Sequence, residues 1–121
     1  MIARARSRCH QPEKAEQRAI VELLRLIGAP VYVLGTTRRK TDHPGTMQTP
    51  GLPDLYAFLP TIPRSIVLQY RPIWIEVKSS SGCLSDAQEA FRWLCEMSGE
   101  DHFVGTANQF AAELKRRGYL K

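Results

Sequence analysis

The sequence predicts an α/β domain in which helices flank a sheet, and three observations predict it. The runs Asp54–Leu59 and Ile73–Lys78 are apolar and strand-like, and with a strand's period of two they gather Leu55, Ala57 and Leu59, and Ile73, Ile75 and Val77, each on one face. Between Pro12 and about Ile27, the side chains Ile20, Leu23, Leu24 and Ile27 fall on one stripe at about 100° per residue, the period of a helix. Two later segments open on Ser85-x-x-Gln88 and Thr106-x-x-Gln109, the spacing at which a helix start is closed by its own side chains. With 121 residues, the chain has material for one core and one domain, expected over 12–121.

Composition narrows the class. An apolar fraction of 43% and a charged fraction of 24% are those of an ordinary globular domain. No apolar run approaches the ~20 residues that cross a bilayer, so no membrane partner is expected. The opening residues carry Arg4, Arg6 and Arg8 without the apolar centre of a signal peptide, and a cytoplasmic location is expected. Cys9, Cys83 and Cys95 show no CxxC pairing, which suits reduced thiols rather than a disulfide or zinc framework. The net charge of +5 favours a polyanionic partner without requiring one.

Taken in order, Met1 to Gln11 reads as a basic, flexible arm, and Pro12 as the first residue of a helix stopped by Gly28 and Pro30. Glu13 and Gln17 extend that helix's apolar stripe and Glu16 lies near its edge. They either reach toward the sheet or answer the helix dipole. Val31 to Leu34 is a short strand. Gly35 to Thr49 has no apolar periodicity and carries Arg38, Arg39 and Lys40, candidate phosphate contacts, with His43 as a possible extra acid-base group. In the next strand Leu55, Ala57 and Leu59 share one face, while Asp54, Tyr56 and Phe58 share the other. The connection Pro60–Pro72 has room for a small strand at Ile66–Gln69. After Ile73–Lys78 and a small-residue loop from Ser79 to Cys83, the helix Ser85–Ser98 places Phe91, Leu94 and Cys95 at core spacing. A strand at Phe103–Gly105 and a helix carrying Phe110 and Leu114 complete the set. Lys115, Arg116 and Arg117 there suit the dipole at a helix end.

The chemistry gathers at the strand ends. Trp74, Glu76 and Lys78 share a face, and a carboxylate and an ammonium on an otherwise buried strand are costly unless paired or bound. Asp54 at the mouth of the neighbouring strand is their companion. An Asp, a Glu and a Lys converging there can hold a hard divalent cation and handle the proton of an attacking water. A strand-edge salt bridge is the plainer use, but it explains neither Asp54 nor the flanking Gly51 and Pro53.

The ordered set Pro50-Gly51-Leu52-Pro53-Asp54-Leu55, Ile75-Glu76-Val77-Lys78-Ser79 and Gly82-Cys83-Leu84-Ser85-Asp86-Ala87-Gln88 resembles the VRR-NUC branch of the PD-(D/E)XK nucleases, in small stand-alone, phage-type form. The resemblance implies a restriction-endonuclease-like core with a central mixed sheet, and cleavage of DNA with Mg²⁺ or Mn²⁺ and no small-molecule cofactor. Asp54, Glu76 and the Val77 carbonyl would hold the metal, with Glu13 joining directly or through water. Lys78 would act on the water, Gln88 would orient water or phosphate beyond its capping role, and Gln17 and Ser79 would join Arg38, Arg39 and Lys40 on DNA. It also implies a homodimer acting on branched or Holliday-junction DNA, in a bacterial or phage-infected cell. The connection Pro60–Pro72 is longer than the hairpin turn usual in that family. The other reading left open is a nucleic-acid-binding module within a larger replication, repair or phage assembly. No helix-turn-helix signal is present, so sequence specificity is expected to be weak.

Overall fold

The alternation along the two central runs puts six apolar side chains on one side of a four-stranded sheet. The computed structural model describes residues 2–34, 49–61 and 69–121, with the first helix's side chains described from Glu13 onward. Its strands are β1 (Val31–Val33), β2 (Leu55–Pro60), β3 (Tyr70–Val77) and β4 (Asp101–Gly105), in the order β1-β2-β3-β4. The first three are antiparallel neighbours and β4 lies parallel to β3, so the sheet is mixed. Its helices are α1 (Ile2–Leu26), α2 (Asp86–Ser98) and α3 (Ala107–Arg116).

Leu55, Ala57, Leu59, Ile73, Ile75 and Val77 form the sheet's side of the core. Ile20 and Leu24 of α1 and Phe110 and Leu114 of α3 close over them. Leu23 and Ile27 pack at the margin, so the stripe read on α1 is the face it buries. Burying a side chain of this size is worth about 2 kcal/mol, which makes this layer the main source of cohesion. The other face is aromatic. Trp74 meets Phe91 of α2 at 5.1 Å between ring centroids, and Phe91 lies 5.9 Å from His102 of β4.

The structure differs from the reading of the sequence at several points. The helix α1 begins at Ile2 rather than Pro12. Proline forfeits one i→i−4 hydrogen bond yet keeps a helical φ, so Pro12 lies within the helix and residues 2–11 of the expected arm supply its first turns. The strand β3 starts at Tyr70, because Tyr70, Arg71 and Pro72 still pair with Pro60, Leu59 and Phe58. Pro72 is tolerated there since β3 at that point runs beyond its pairing with β4, which begins at Ile73. Leu94 is 54% exposed instead of buried, because α2 turns only the narrow line of Phe91 and Cys95 inward. The small strand expected at Ile66–Gln69 falls largely on residues outside those described.

Two polar contacts lock the periphery. The Arg117 guanidinium donates to both carboxylate oxygens of Asp101 at 2.6 and 2.9 Å and to Glu113 at 2.7 Å, tying the end of α3 to β4. Glu16 of α1 accepts from the backbone N–H of Ala107 at 2.7 Å, satisfying a donor that the start of α3 would otherwise leave free. Among the described residues, no helix is long and apolar enough to cross a membrane.

Candidate functional site

Asp54 reaches the site because the chain bends just before β2. Pro53 is fully buried, and Gly51 takes φ +87°, a left-handed conformation that costs glycine least. The absence of a side chain at Gly51 also matters: a Cβ there would lie 2.4 Å from the Ala87 carbonyl oxygen in the first turn of α2. The bend is therefore seated directly on α2. The backbone N–H of Leu34 donates to the Asp54 carbonyl at 2.8 Å, and that of Val77 donates to Asp54 Oδ2 at 2.9 Å. These bonds fix the carboxylate at the end of β3.

Glu76 stands beside it. Leu55 pairs with Ile75 across the antiparallel ladder, which brings Asp54 and Glu76 together at the next position. Glu76 is only 2% exposed, the one charged side chain in the core of the described residues, and its Oε1 has no hydrogen-bond partner. Burial first, and then the neighbouring Asp54 carboxyl, push the Glu76 carboxyl up from 4.5 to about 9, with Lys78 pulling in the opposite direction. A proton held between the two carboxyl groups relieves their repulsion.

Lys78 follows at the strand end. Its ammonium donates to Gln88 Oε1 at 3.0 Å, and its backbone N–H donates to the Gly105 carbonyl at 2.9 Å. Gln88 is itself held by the predicted capping box. The Ser85 N–H donates to the same Oε1 at 2.8 Å, and the Gln88 N–H donates to Ser85 Oγ at 3.2 Å. The helix cap and the lysine anchor are thus one structure. The amide oxygen is engaged twice, which turns its NH₂ group the other way.

The remaining predicted residues divide. Glu13 reaches the turn that follows β3, where a Cβ on Gly82 would lie 3.4 Å from Glu13 Oε1 and 3.2 Å from Lys78 Cδ. It does not join the carboxylate pair: among the described residues no three His, Cys, Asp or Glu side chains gather closely enough to hold an ion between them. Gln17 is half-buried one turn further along α1. Ser79 opens the turn, its carbonyl accepting from the Gly82 N–H at 3.0 Å. Arg38, Arg39, Lys40 and His43 lie outside the described residues. The sequence reading missed Glu16 as the partner of Ala107, although its place near the edge of the stripe through Glu13 and Gln17 was a signal. It also missed Gly51 and Gly82 as close-approach positions, because only the packing of a second segment reveals them.

Asp54 and Glu76 fit a hard divalent cation. They supply oxygen donors from a buried and a half-buried side chain, one Glu76 oxygen is buried without a partner, and the unfavourable pairing of two carboxyls is what a cation relieves. Among the described residues, a cavity of about 690 Å³ lies at the opposite end of the sheet between Arg71, Asp101, Arg116 and Arg117. Asp101, Arg116 and Arg117 there are already engaged in ion pairs with one another or with Glu113. Comparison with known proteins found no matching family model, no matching curated relative and no matching solved structure.

Proposed function

We propose that this chain is a divalent-metal-dependent DNA endonuclease of the PD-(D/E)XK kind, with a restriction-endonuclease-like core of the VRR-NUC type. The observation that carries the reading is the buried Glu76 carboxyl, one oxygen unpartnered, beside the half-buried Asp54 and next to a lysine whose ammonium is pinned by Gln88. A structural salt bridge would place Lys78 on the carboxylates, whereas here its hydrogen bond goes to an amide.

Asp54, Glu76 and the carbonyl of Val77 would hold Mg²⁺ or Mn²⁺, which would neutralise phosphate charge and lower the pKa of an attacking water. The Val77 N–H keeps Asp54 in place for that role. In its neutral form Lys78 would take the water's proton, and as an ammonium it would face the developing charge, with Gln88 orienting it by accepting its hydrogen bond. The Gln88 NH₂ group is left to donate to water or phosphate. Glu13, standing apart from the pair, acts through water. The excess of basic residues draws in the polyanion, with Arg38, Arg39, Lys40, Gln17 and Ser79 as contacts, and the enzyme works as a homodimer on branched DNA.

The test is cleavage of plasmid, linear, flap and four-way-junction DNA with Mg²⁺, Mn²⁺ or EDTA, beside Asp54→Ala and Lys78→Ala. Metal-dependent cutting lost at least a hundredfold in both folded variants is expected, with DNA binding retained. Cutting that survives Lys78→Ala would remove the catalytic assignment. Binding without cutting on every substrate would point instead to a binding module.

A further inference from the structure

The row of side chains next to the carboxylate pair is aromatic. Asp54 and Tyr56 share a face of β2, and Tyr56 stands opposite Tyr32 of β1 on one side and Trp74 of β3 on the other. Phe58 follows on the same face. The ring centroids run 6.1 Å from Tyr32 to Phe58, 5.1 Å from Phe58 to Tyr56 and 4.2 Å from Tyr56 to Trp74, so the rings form one continuous ledge. The helix α2 covers its Trp74 end through Phe91. Toward β1 the ledge opens: Tyr56 and Phe58 are half-buried and Tyr32 is 57% exposed.

Same-face residues on a strand are about 7 Å apart, so the ledge begins within one nucleotide's reach of the carboxylates. Its face is built of rings rather than aliphatic side chains, and the chain is net basic. Rings beside a phosphate-handling site suit a nucleobase, since every base presents a π-face and stacking on an aromatic side chain needs no particular sequence. A base inside a duplex is already stacked on its neighbours. Only an unpaired one is available to a protein ring.

We infer that Tyr32, Tyr56 and Phe58 form a stacking ledge for an unpaired nucleotide beside the phosphate that a cation on Asp54 and Glu76 would engage. The inference rests on the nuclease reading and names its substrate class: DNA with single-stranded character at the cleavage point. Sequence-independent stacking explains how the site selects a structure without a base-reading helix.

Binding in EDTA isolates the ledge from cleavage. Fluorescence anisotropy would compare labelled oligo-dT, an abasic oligonucleotide of equal length and a blunt duplex, on the wild type, Tyr32→Ala and Tyr32→Trp. Because Tyr32 lies at the exposed end of the ledge, both variants are expected to fold, which a melting curve checks. Tyr32→Ala is expected to weaken oligo-dT binding about fivefold or more, with abasic and duplex binding held within twofold and Tyr32→Trp restoring the loss. No loss, or equal loss on all three probes, overturns the ledge. So does a shift from dimer to monomer in sedimentation of Tyr32→Ala, which would give this face to a second copy of the chain. The two readings fail separately: metal-dependent cutting with a neutral Tyr32→Ala removes the ledge alone. Base-dependent binding without any cutting upholds the ledge and removes the nuclease.

Discussion

Glu76 is a carboxyl that its surroundings hold in the neutral form. Its folded value, about 9, lies above the ordinary 4.5, so between those limits the folded chain binds more protons than the unfolded one. Stability of the metal-free protein therefore falls as pH rises through that window. Glu76→Gln keeps the shape and cannot ionise. In EDTA at pH 8 it is expected to melt several degrees above the wild type, with the difference shrinking toward pH 5; equal melting temperatures at pH 8 would mean the pair is well solvated. The wild type is expected to melt higher when Mn²⁺ is added, and the variant is not. Asp54 and Glu76 were legible in the sequence because strand parity and a short bend suffice to bring them together. The Lys78–Gln88 bond was only half legible. Spacing predicts the capping box, but nothing in the spacing says that the same amide oxygen also takes the lysine.

At the scale of elements, the bend before β2 and the start of α2 behave as one piece. Gly51 touches the Ala87 backbone, and any side chain there must push α2 away and adopt a strained φ. Gly99, also at positive φ, has open space around its Cα and serves as the control. Gly51→Ala is expected to cost about 1–3 kcal/mol, and Gly99→Ala about 1 kcal/mol, by thermal or denaturant unfolding. Activity should fall further in Gly51→Ala than its stability loss explains, because Asp54 and Gln88 are displaced from each other. Equal effects at both glycines would mean that the contact is not tight. Strands and caps were readable because alternation and capping are local. The start of α1 was not, since a proline that opens a helix and one lying inside it look alike in sequence. Nor was the exposure of Leu94, which depends on how little of α2 the sheet admits.

Across the whole molecule, the end of α3 is braced to β4 through Asp101, Arg117 and Glu113, with Arg116 on the same Glu113 carboxylate. The Arg116 and Arg117 guanidiniums hold the Glu113 carboxyl down to about 2 from 4.5. A depressed folded value means that the brace stabilises above pH 4.5 and is lost as pH falls toward 2. A melting series from pH 7 to 2 is expected to show Glu113→Gln starting a few degrees lower and losing less on the acid side. A wild type and variant that run parallel would show that the brace contributes nothing. The sequence offered Lys115, Arg116 and Arg117 as a helix end answering its own dipole. The partner Asp101 belongs to another element, and no periodicity connects them.

The contact of Glu16 with the first turn of α3 joins residues ninety-one positions apart and has a consequence in time. The antiparallel β2–β3 pairing is local in the chain, whereas closing α1 onto α3 must overcome the entropy of a much longer loop. During folding, Asp54 and Glu76 can meet early, while the Glu16–Ala107 contact forms only once α3 has docked against α1. A nascent or partly opened chain can then carry the two central carboxyls side by side before α1 and α3 have closed together over the opposite face of the sheet.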